Sequence, residues 1–427
     1  MKQRITTLPN GLRIVTSHMA DAQSVTVSII AGVGSRYEDY EVNGGVSHFL
    51  EHLLFKGTKK WPGAKIISEK IDAVGGYNNA YTSNDMTNYF VKVPHQHAPL
   101  AMDILADMIR NPLLDPVETD RERNVILEEM NVYRDDPSRY VGSLLPPLLW
   151  PNQPLGQDVI GSEKVIREIP HARIVGYHKL HYRPDNLVVA AAGKVDHDAI
   201  VTQAKQLLGG LKKSTLAKAA RAKDTPAADK VGILAKDTAQ THLIIGTYGY
   251  KFLDRDNPAA QIVTAILGRG MSSRLFINVR ERKGLAYSVN ASIHSFADTG
   301  VFDVYAGVNL DKTTLAIEAI MKELELICSK KVAARELNKA KNQLKGGLQM
   351  SLESNFSVAD RLATQLILVN KIKSVEKILQ EIDAVTPEDV LRVARKMLDP
   401  QKLRMAIITP NPEPAAKTFR KLTGELS

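Results

Sequence analysis

The sequence predicts an α+β fold made of two homologous domains, each a largely antiparallel sheet packed with helices. Three observations predict it. The chain has 427 residues, enough for two or three domains at roughly 100–200 residues each. A Lys/Ala-rich stretch without aromatic residues, KKSTLAKAARAKDTPAADK at 212–230, divides it into near-equal halves. The order strand, helix, helix then occurs in each half with similar lengths, the mark of an internal repeat. The domains are accordingly expected at 1–211 and 231–427, with 212–230 as linker.

The elements follow in order. The first five residues run directly into strand-like sequence. Residues 12–17 and 24–31 alternate or run apolar around a turn, as a hairpin would. Residues 77–83 and 187–192 also read as strands. In the first half the repeat is strand 88–93, helix 97–110 and helix 116–134. In the second it is strand 301–306, helix 312–328 and helix 333–351. Further strands are expected at 241–248, 286–293, 302–308 and 404–409. Hairpins mixed with long helices favour largely antiparallel sheets over a doubly wound parallel one.

Composition narrows the class. With 44% hydrophobic and 24% charged residues, the chain is neither disordered nor collagen-like. Its single cysteine, Cys328, forbids an intrachain disulfide or an all-cysteine metal cluster and suits a reducing compartment. No secretory signal and no apolar run of roughly 20 residues is seen. A cytoplasmic location and no membrane partner are therefore expected. The net charge of +9 is uneven, −2 over residues 1–210 and +11 over the rest. The basic residues of the second half alternate with acids along helical stretches such as 318–345, as on solvated faces. No nucleic-acid partner is expected.

The segment Gly44-Gly45-Val46-Ser47-His48-Phe49-Leu50-Glu51-His52-Leu53-Leu54-Phe55-Lys56-Gly57 carries the chemistry. Ser47 could cap a helix start and Gly57 suits its end. His48 and His52 are four apart, so both rings leave one helical face, and Glu51 shares it. Two imidazoles at that spacing can bind one zinc ion. A carboxylate beside them can take a proton from water whose pKa the metal lowers. The order is H-x-x-E-H, the inverse of the common zinc-protease motif. A catalytic zinc needs a third protein ligand. Residues 118–130 offer one on an amphipathic helix with Val125, Ile126 and Leu127 packing inward. There Glu122 and Glu129 lie seven apart on one face, and Glu128 about 100° away.

At these residues the chain resembles the pitrilysin/insulinase family of inverzincin zinc peptidases. It is most similar to the short-chain branch of the mitochondrial processing peptidase and its bacterial homologues. The likeness spans nearly the whole chain. It takes in Asn10-Gly11-Leu12-Arg13-Ile14, the H-x-x-E-H segment, Asn79-Ala80-Tyr81-Thr82, Glu122-Arg123, Glu128-Glu129 and Tyr182-Arg183-Pro184-Asp185-Asn186. In the second half it covers Ser273-Arg274-Leu275 and Gly284-Leu285-Ala286-Tyr287-Ser288.

The resemblance implies His48, His52 and Glu129 as zinc ligands, one Zn2+ per chain, with Glu51 as general base. Glu122 becomes a partner that orients a ligand or assists catalysis. Asn79, Ala80, Tyr81 and Thr82 match the edge strand that holds extended substrate, where peptide backbone can add to a sheet. Arg280 and Tyr287 match an Arg/Tyr pair in the non-zinc domain, suited to the substrate carbonyl and the tetrahedral oxyanion. The second half has no H-x-x-E-H, and apolar residues occupy the matching place at 259–267. A homodimer enclosing one chamber is implied, each zinc domain facing the partner's Arg/Tyr domain. Gly268-Arg269-Gly270 is far shorter than the glycine-rich loop of the processing peptidase's non-catalytic subunit, so presequence recognition is not expected. The function expected is a zinc metalloendopeptidase acting on extended or unfolded peptides. The alternative is a catalytically silent, core-protein-like scaffold or peptide-binding subunit of the same fold.

Overall fold

The computed structural model describes residues 2–213 and 219–424. Its strands are β1 (Lys2–Thr7), β2 (Arg13–His18), β3 (Ser24–Ala31), β4 (Tyr77–Thr82), β5 (Thr87–Pro94), β6 (Leu187–Gly193), β7 (Val231–Ala235), β8 (Thr241–Tyr248), β9 (Ala286–Ser295), β10 (Gly300–Val308) and β11 (Arg404–Thr409). The helices that matter here are α1 (Val46–Leu54), α2 (Ala98–Arg110), α3 (Pro116–Asp135), α4 (His171–His181), α5 (Asn257–Gly268), α6 (Thr313–Ser329), α7 (Ala334–Ser351) and α8 (Asn355–Val369). The repeat is present: β5, α2, α3 in the first half and β10, α6, α7 in the second. Among the described residues no helix is long and apolar enough to cross a membrane.

Two sheets form. One has the order β1-β2-β6-β3-β5-β4, the other β7-β11-β8-β10-β9. Every ladder is antiparallel except β2 with β6 and β7 with β11. The α+β reading therefore holds. One pairing differs from expectation: β2 and β3 do not form a hairpin. Strand β6 lies between them, parallel to β2 and antiparallel to β3, while β2 makes its hairpin with β1. Every residue of β6 is buried, and such a strand takes a central position with a partner on each side. Strand β7 was not expected; it is short, carries Gly232 and directly follows the Lys/Ala-rich stretch.

The chain folds as two compact units, and they depart from contiguous halves. Unit 1 is Met1–Met130, Gln157–Ala220 and Gln349–Ile372; unit 2 is Asn131–Gly156, Arg221–Leu348 and Lys373–Ser427. The reason is that each sheet has two apolar faces. In unit 1, Ile14, Val27, Ile29 and Val91 pack on one face with Phe49, Leu50 and Leu53 of α1 and with Met102 and Leu105 of α2. The other face presents Val15, Ile30, Val188 and Ala190, which Val358, Leu362 and Leu366 of α8 cover. Fully burying an aliphatic side chain of this size stabilises by about 1.5–3 kcal/mol, so α8 is part of the unit and not an appendage. In unit 2, Leu145, Leu149 and Trp150 cover Ile244, Tyr248, Ala406 and Ile408 in the same way.

Of the expected linker at 212–230, residues 214–218 lie outside the described residues, as do residue 1 and residues 425–427 at the ends of the two expected domains. Residues 219–230 contain no helix or strand. Asp224 and Ala227 are nonetheless tied down within unit 2. Trp150 donates to Asp224 at 3.1 Å, and Arg404 donates twice to the Ala227 carbonyl, at 2.6 and 3.1 Å.

Candidate metal centre

Helix α1 starts where the chain makes a left-handed step. Gly45 has φ +92, and a Cβ there would come within 2.5 Å of the Ile160 carbonyl oxygen, so only glycine fits. Ser47 is not the cap. The buried carboxylate of Glu38 caps the helix from outside, accepting from Gly45 N at 2.6 Å and Ser47 N at 2.7 Å. The Ser47 hydroxyl instead meets Tyr177 of α4 at 3.2 Å. Burial pushes the Glu38 carboxyl up to about 7, against the pull of its Ser47 and Gly45 donors. Apart from Ser47, which is buried too, the nine residues of the helix divide by face. Val46, Phe49, Leu50, Leu53 and Leu54 enter the core, leaving His48, Glu51 and His52 on the opposite face.

Helix α3 supplies the facing carboxylates. Ile126, Leu127 and Met130 anchor it in the core. Val125, expected inward, is exposed. Glu129 Oε2 lies 3.6 Å from His48 Nε2 and 3.4 Å from His52 Nε2. Glu128, the neighbouring candidate, is exposed and does not join the group that His48, His52 and Glu129 form, with one ligand atom from each within 4.8 Å of the others. Around a tetrahedral zinc with bonds of about 2.0–2.2 Å, donor atoms sit about 3.4 Å apart. Two imidazoles and one carboxylate are also a donor set that zinc accepts. These residues therefore fit the ion.

The electrostatics agree with a cation site. Glu122, with a side chain only 5% exposed, accepts from His52 Nδ1 at 3.1 Å and pairs with Lys56 Nζ at 2.5 Å. Burial opposes its charge, but His52 and Lys56 together hold its carboxyl below the usual carboxylate range. Burial likewise disfavours a charged His52, yet Glu122 and Glu129 outweigh it and raise the ring to about 9. Burial and the nearby His52 push His48 down to about 4, with Glu129 pulling the other way. The carboxylates of Glu122 and Glu129 thus favour positive charge beside His52. Glu51 accepts from the Thr82 hydroxyl at 2.6 Å. Burial raises the Glu51 carboxyl against that hydrogen bond.

Strand β4 is the outer strand of its sheet. Along it, Asn79 Nδ2 donates to the Tyr77 hydroxyl at 2.9 Å, and Asn79 Oδ1 accepts from Ala80 N at 2.8 Å. Tyr81 turns to the face opposite Thr82 and donates to Asp360 of α8 at 2.6 Å. In unit 2 the Arg280 guanidinium lies 5.6 Å from the centroid of Tyr287 and 4.8 Å from that of Phe276. The Tyr287 side chain is exposed.

Lys56, Glu38 and Asp360 were missed from sequence. Lys56 lies one turn beyond His52 on the same face, a signal that could have been used. For Glu38 the hint was Gly45 at the N-cap position, a residue with no side chain to cap the helix. The hold of Thr82 on Glu51 and of Asp360 on Tyr81 left no local trace.

A two-unit α+β protein with two histidines and a glutamate gathered on the helices of one unit is a candidate metalloprotein of the metallopeptidase class. Comparison with known proteins carries this further. Residues 13–163 match the profile described as insulinase, peptidase family M16, and residues 168–344 match that of the peptidase M16 inactive domain. A protein of Streptomyces coelicolor named as an uncharacterized zinc protease is 39% identical over 92% of this chain and 87% of its own length. One of Bacillus subtilis with the same description is 34% identical over 95% and 98%. Among solved structures, a protease from Helicobacter pylori superposes with a TM-score of 0.88 at 25% identity, covering 96% of this chain and 100% of that one. The peptidase M16 inactive domain from Pseudomonas fluorescens gives 0.88 at 20% identity, over 96% and 98%. The chain belongs to the insulinase family, peptidase family M16.

Proposed function

We propose that this protein is a zinc-dependent metalloendopeptidase that hydrolyses extended or unfolded peptides. The observation that carries the reading is the convergence of His48, His52 and Glu129 beside Glu51. Zinc held by these three ligands would supply a Lewis acid that makes hydroxide available at neutral pH.

The chain's own residues do the rest. Glu51, its basicity raised by burial, accepts a proton from the attacking water and passes it to the leaving amine. Thr82 fixes the Glu51 carboxylate through one oxygen, leaving the other for proton transfer. Glu122 fixes the His52 ring through Nδ1, the orienting contact that histidine ligands commonly need, and Lys56 offsets its charge. The open edge of β4 binds substrate backbone as an added strand. Because Thr82 lies on β4 and touches Glu51, a peptide paired there would run past the base.

The test is digestion of an unstructured peptide, with products read by mass spectrometry. Cleavage is expected to stop on chelation and to return when zinc is added; cleavage indifferent to chelator would contradict the reading. The same proposal assigns Arg280 and Tyr287 to the substrate carbonyl and the oxyanion, supplied by a second copy of the chain in a homodimer. Coexpressed Glu51→Gln and Tyr287→Phe chains, each impaired alone, should then regain about a quarter of wild-type activity, because half the dimers are mixed and each holds one complete site. A mixture no more active than its components would rule that arrangement out.

A further inference from the structure

We propose that Asp360, on α8, is a positioning residue that holds the peptide-binding strand β4 in register with Glu51. The inference rests on the reading of β4 as the substrate strand.

Strand β4 has a partner on one side only, and Asn78, Asn79 and Ala80 at its centre belong to types depleted in strands. Its geometry therefore depends on side-chain contacts across its two faces. Adjacent strand residues point to opposite faces. Thr82 reaches α1 through Glu51, and Tyr81 reaches α8 through Asp360. Asp360 Oδ1 accepts from the Tyr81 hydroxyl at 2.6 Å and from Asn88 Nδ2 at 3.0 Å. Asn88 is the residue directly opposite Tyr81 in the β4–β5 ladder. One oxygen thus fastens both members of a cross-strand pair.

A second contact lies one helical turn away. Phe356 packs its ring 4.3 Å from that of Phe90, and Phe90 is opposite Asn79. Phe356 and Asp360 are four apart and so share a face of α8, which meets β5 at Phe90 and Asn88 and β4 at Tyr81. Burial raises the Asp360 carboxyl against its Tyr81 and Asn88 donors; the oxygen accepts both bonds whether or not the group is ionised. Loss of the grip would let β4 shift against its single neighbour. Added peptide backbone would lose its template first, and Thr82 would drift from Glu51 next.

Both hydrogen bonds use one oxygen, so an asparagine can replace the aspartate where an alanine cannot. In the full-length zinc-loaded protein, Asp360→Ala is expected to raise KM for an unstructured peptide about tenfold and to change kcat less than about threefold, the pattern of lost binding. Amide hydrogen exchange at residues 78–82 should quicken about tenfold while β2, β3 and β6 keep their protection. Asp360→Asn should stay within about twofold of wild type in KM and in exchange. Tyr81→Phe should add nothing to Asp360→Ala, since the Tyr81–Asp360 bond it removes is already lost there. A lower Tm with KM and local exchange unchanged would make Asp360 merely structural and overturn the inference, as would Asp360→Asn failing like alanine. The exchange measurement needs no substrate, so it still decides the role of Asp360 if the protein should cleave no peptide.

Discussion

Glu51→Gln is expected to reduce peptide cleavage by about 10³-fold, the middle of the range for losing a general base, while zinc content stays at wild type. The substitution is nearly isosteric. The glutamine oxygen can still accept from Thr82, which now donates to Glu51 at 2.6 Å, so the helix and its two histidines keep their positions. What disappears is the ability to take a proton from water and deliver it to the leaving amine. Activity is read with a fluorogenic peptide and metal by elemental analysis of the same sample. Cleavage at the wild-type rate would remove Glu51 from the mechanism. Loss of activity together with loss of zinc would mean that the variant disturbs the ligands and says nothing of the base.

The second large effect concerns the carboxylates of α3. Glu129→Gln should weaken zinc binding by more than about 100-fold, because it removes a proposed ligand. Glu122→Gln should weaken it by about 10–100-fold, the range found when a partner behind a ligand is lost. The difference follows from geometry. Glu129 Oε2 lies 3.4–3.6 Å from the Nε2 atoms of both histidines, whereas Glu122 approaches only the far nitrogen of His52. A competition titration against a chromophoric zinc chelator measures both. A greater loss for Glu122 would exchange the two roles, and equal losses would contradict the distinction between them.

The local chemistry of the centre was legible because it lies within one helical turn. His48, Glu51 and His52 are spaced so that any helix through them puts all three on one face, and the apolar residues between them say which face is inward. The choice among Glu122, Glu128 and Glu129 was only half legible. Periodicity separates Glu128 from the other two, but only the family resemblance favoured Glu129 as the ligand. The bounds of the strands expected from sequence were readable to within two residues for the same local reason, while β7 was missed.

Long-range pairing left no such record. Residues 12–17 and 24–31 look like a hairpin, and nothing near them announces that β6, more than 150 residues further on, will lie between them. Ser47 is a good capping residue by type, yet a carboxylate nine residues earlier takes its amide. Helix α8 has an ordinary amphipathic sequence. That its apolar side covers the sheet of unit 1, bringing Asp360 to Tyr81, depends on the second apolar face of β2, β3 and β6. Alternation along those strands does not reveal that face, because they are buried on both sides.

In the proposed function three side chains from two helices hold one zinc ion. Diffraction from crystals of zinc-loaded protein, recorded on both sides of the zinc absorption edge, tests it directly. One anomalous peak is expected at the His48–His52–Glu129 group, with Nε2 of both histidines and a Glu129 oxygen at about 2.0–2.2 Å. No peak there, or a peak whose ligands omit Glu129 or either histidine, would contradict it.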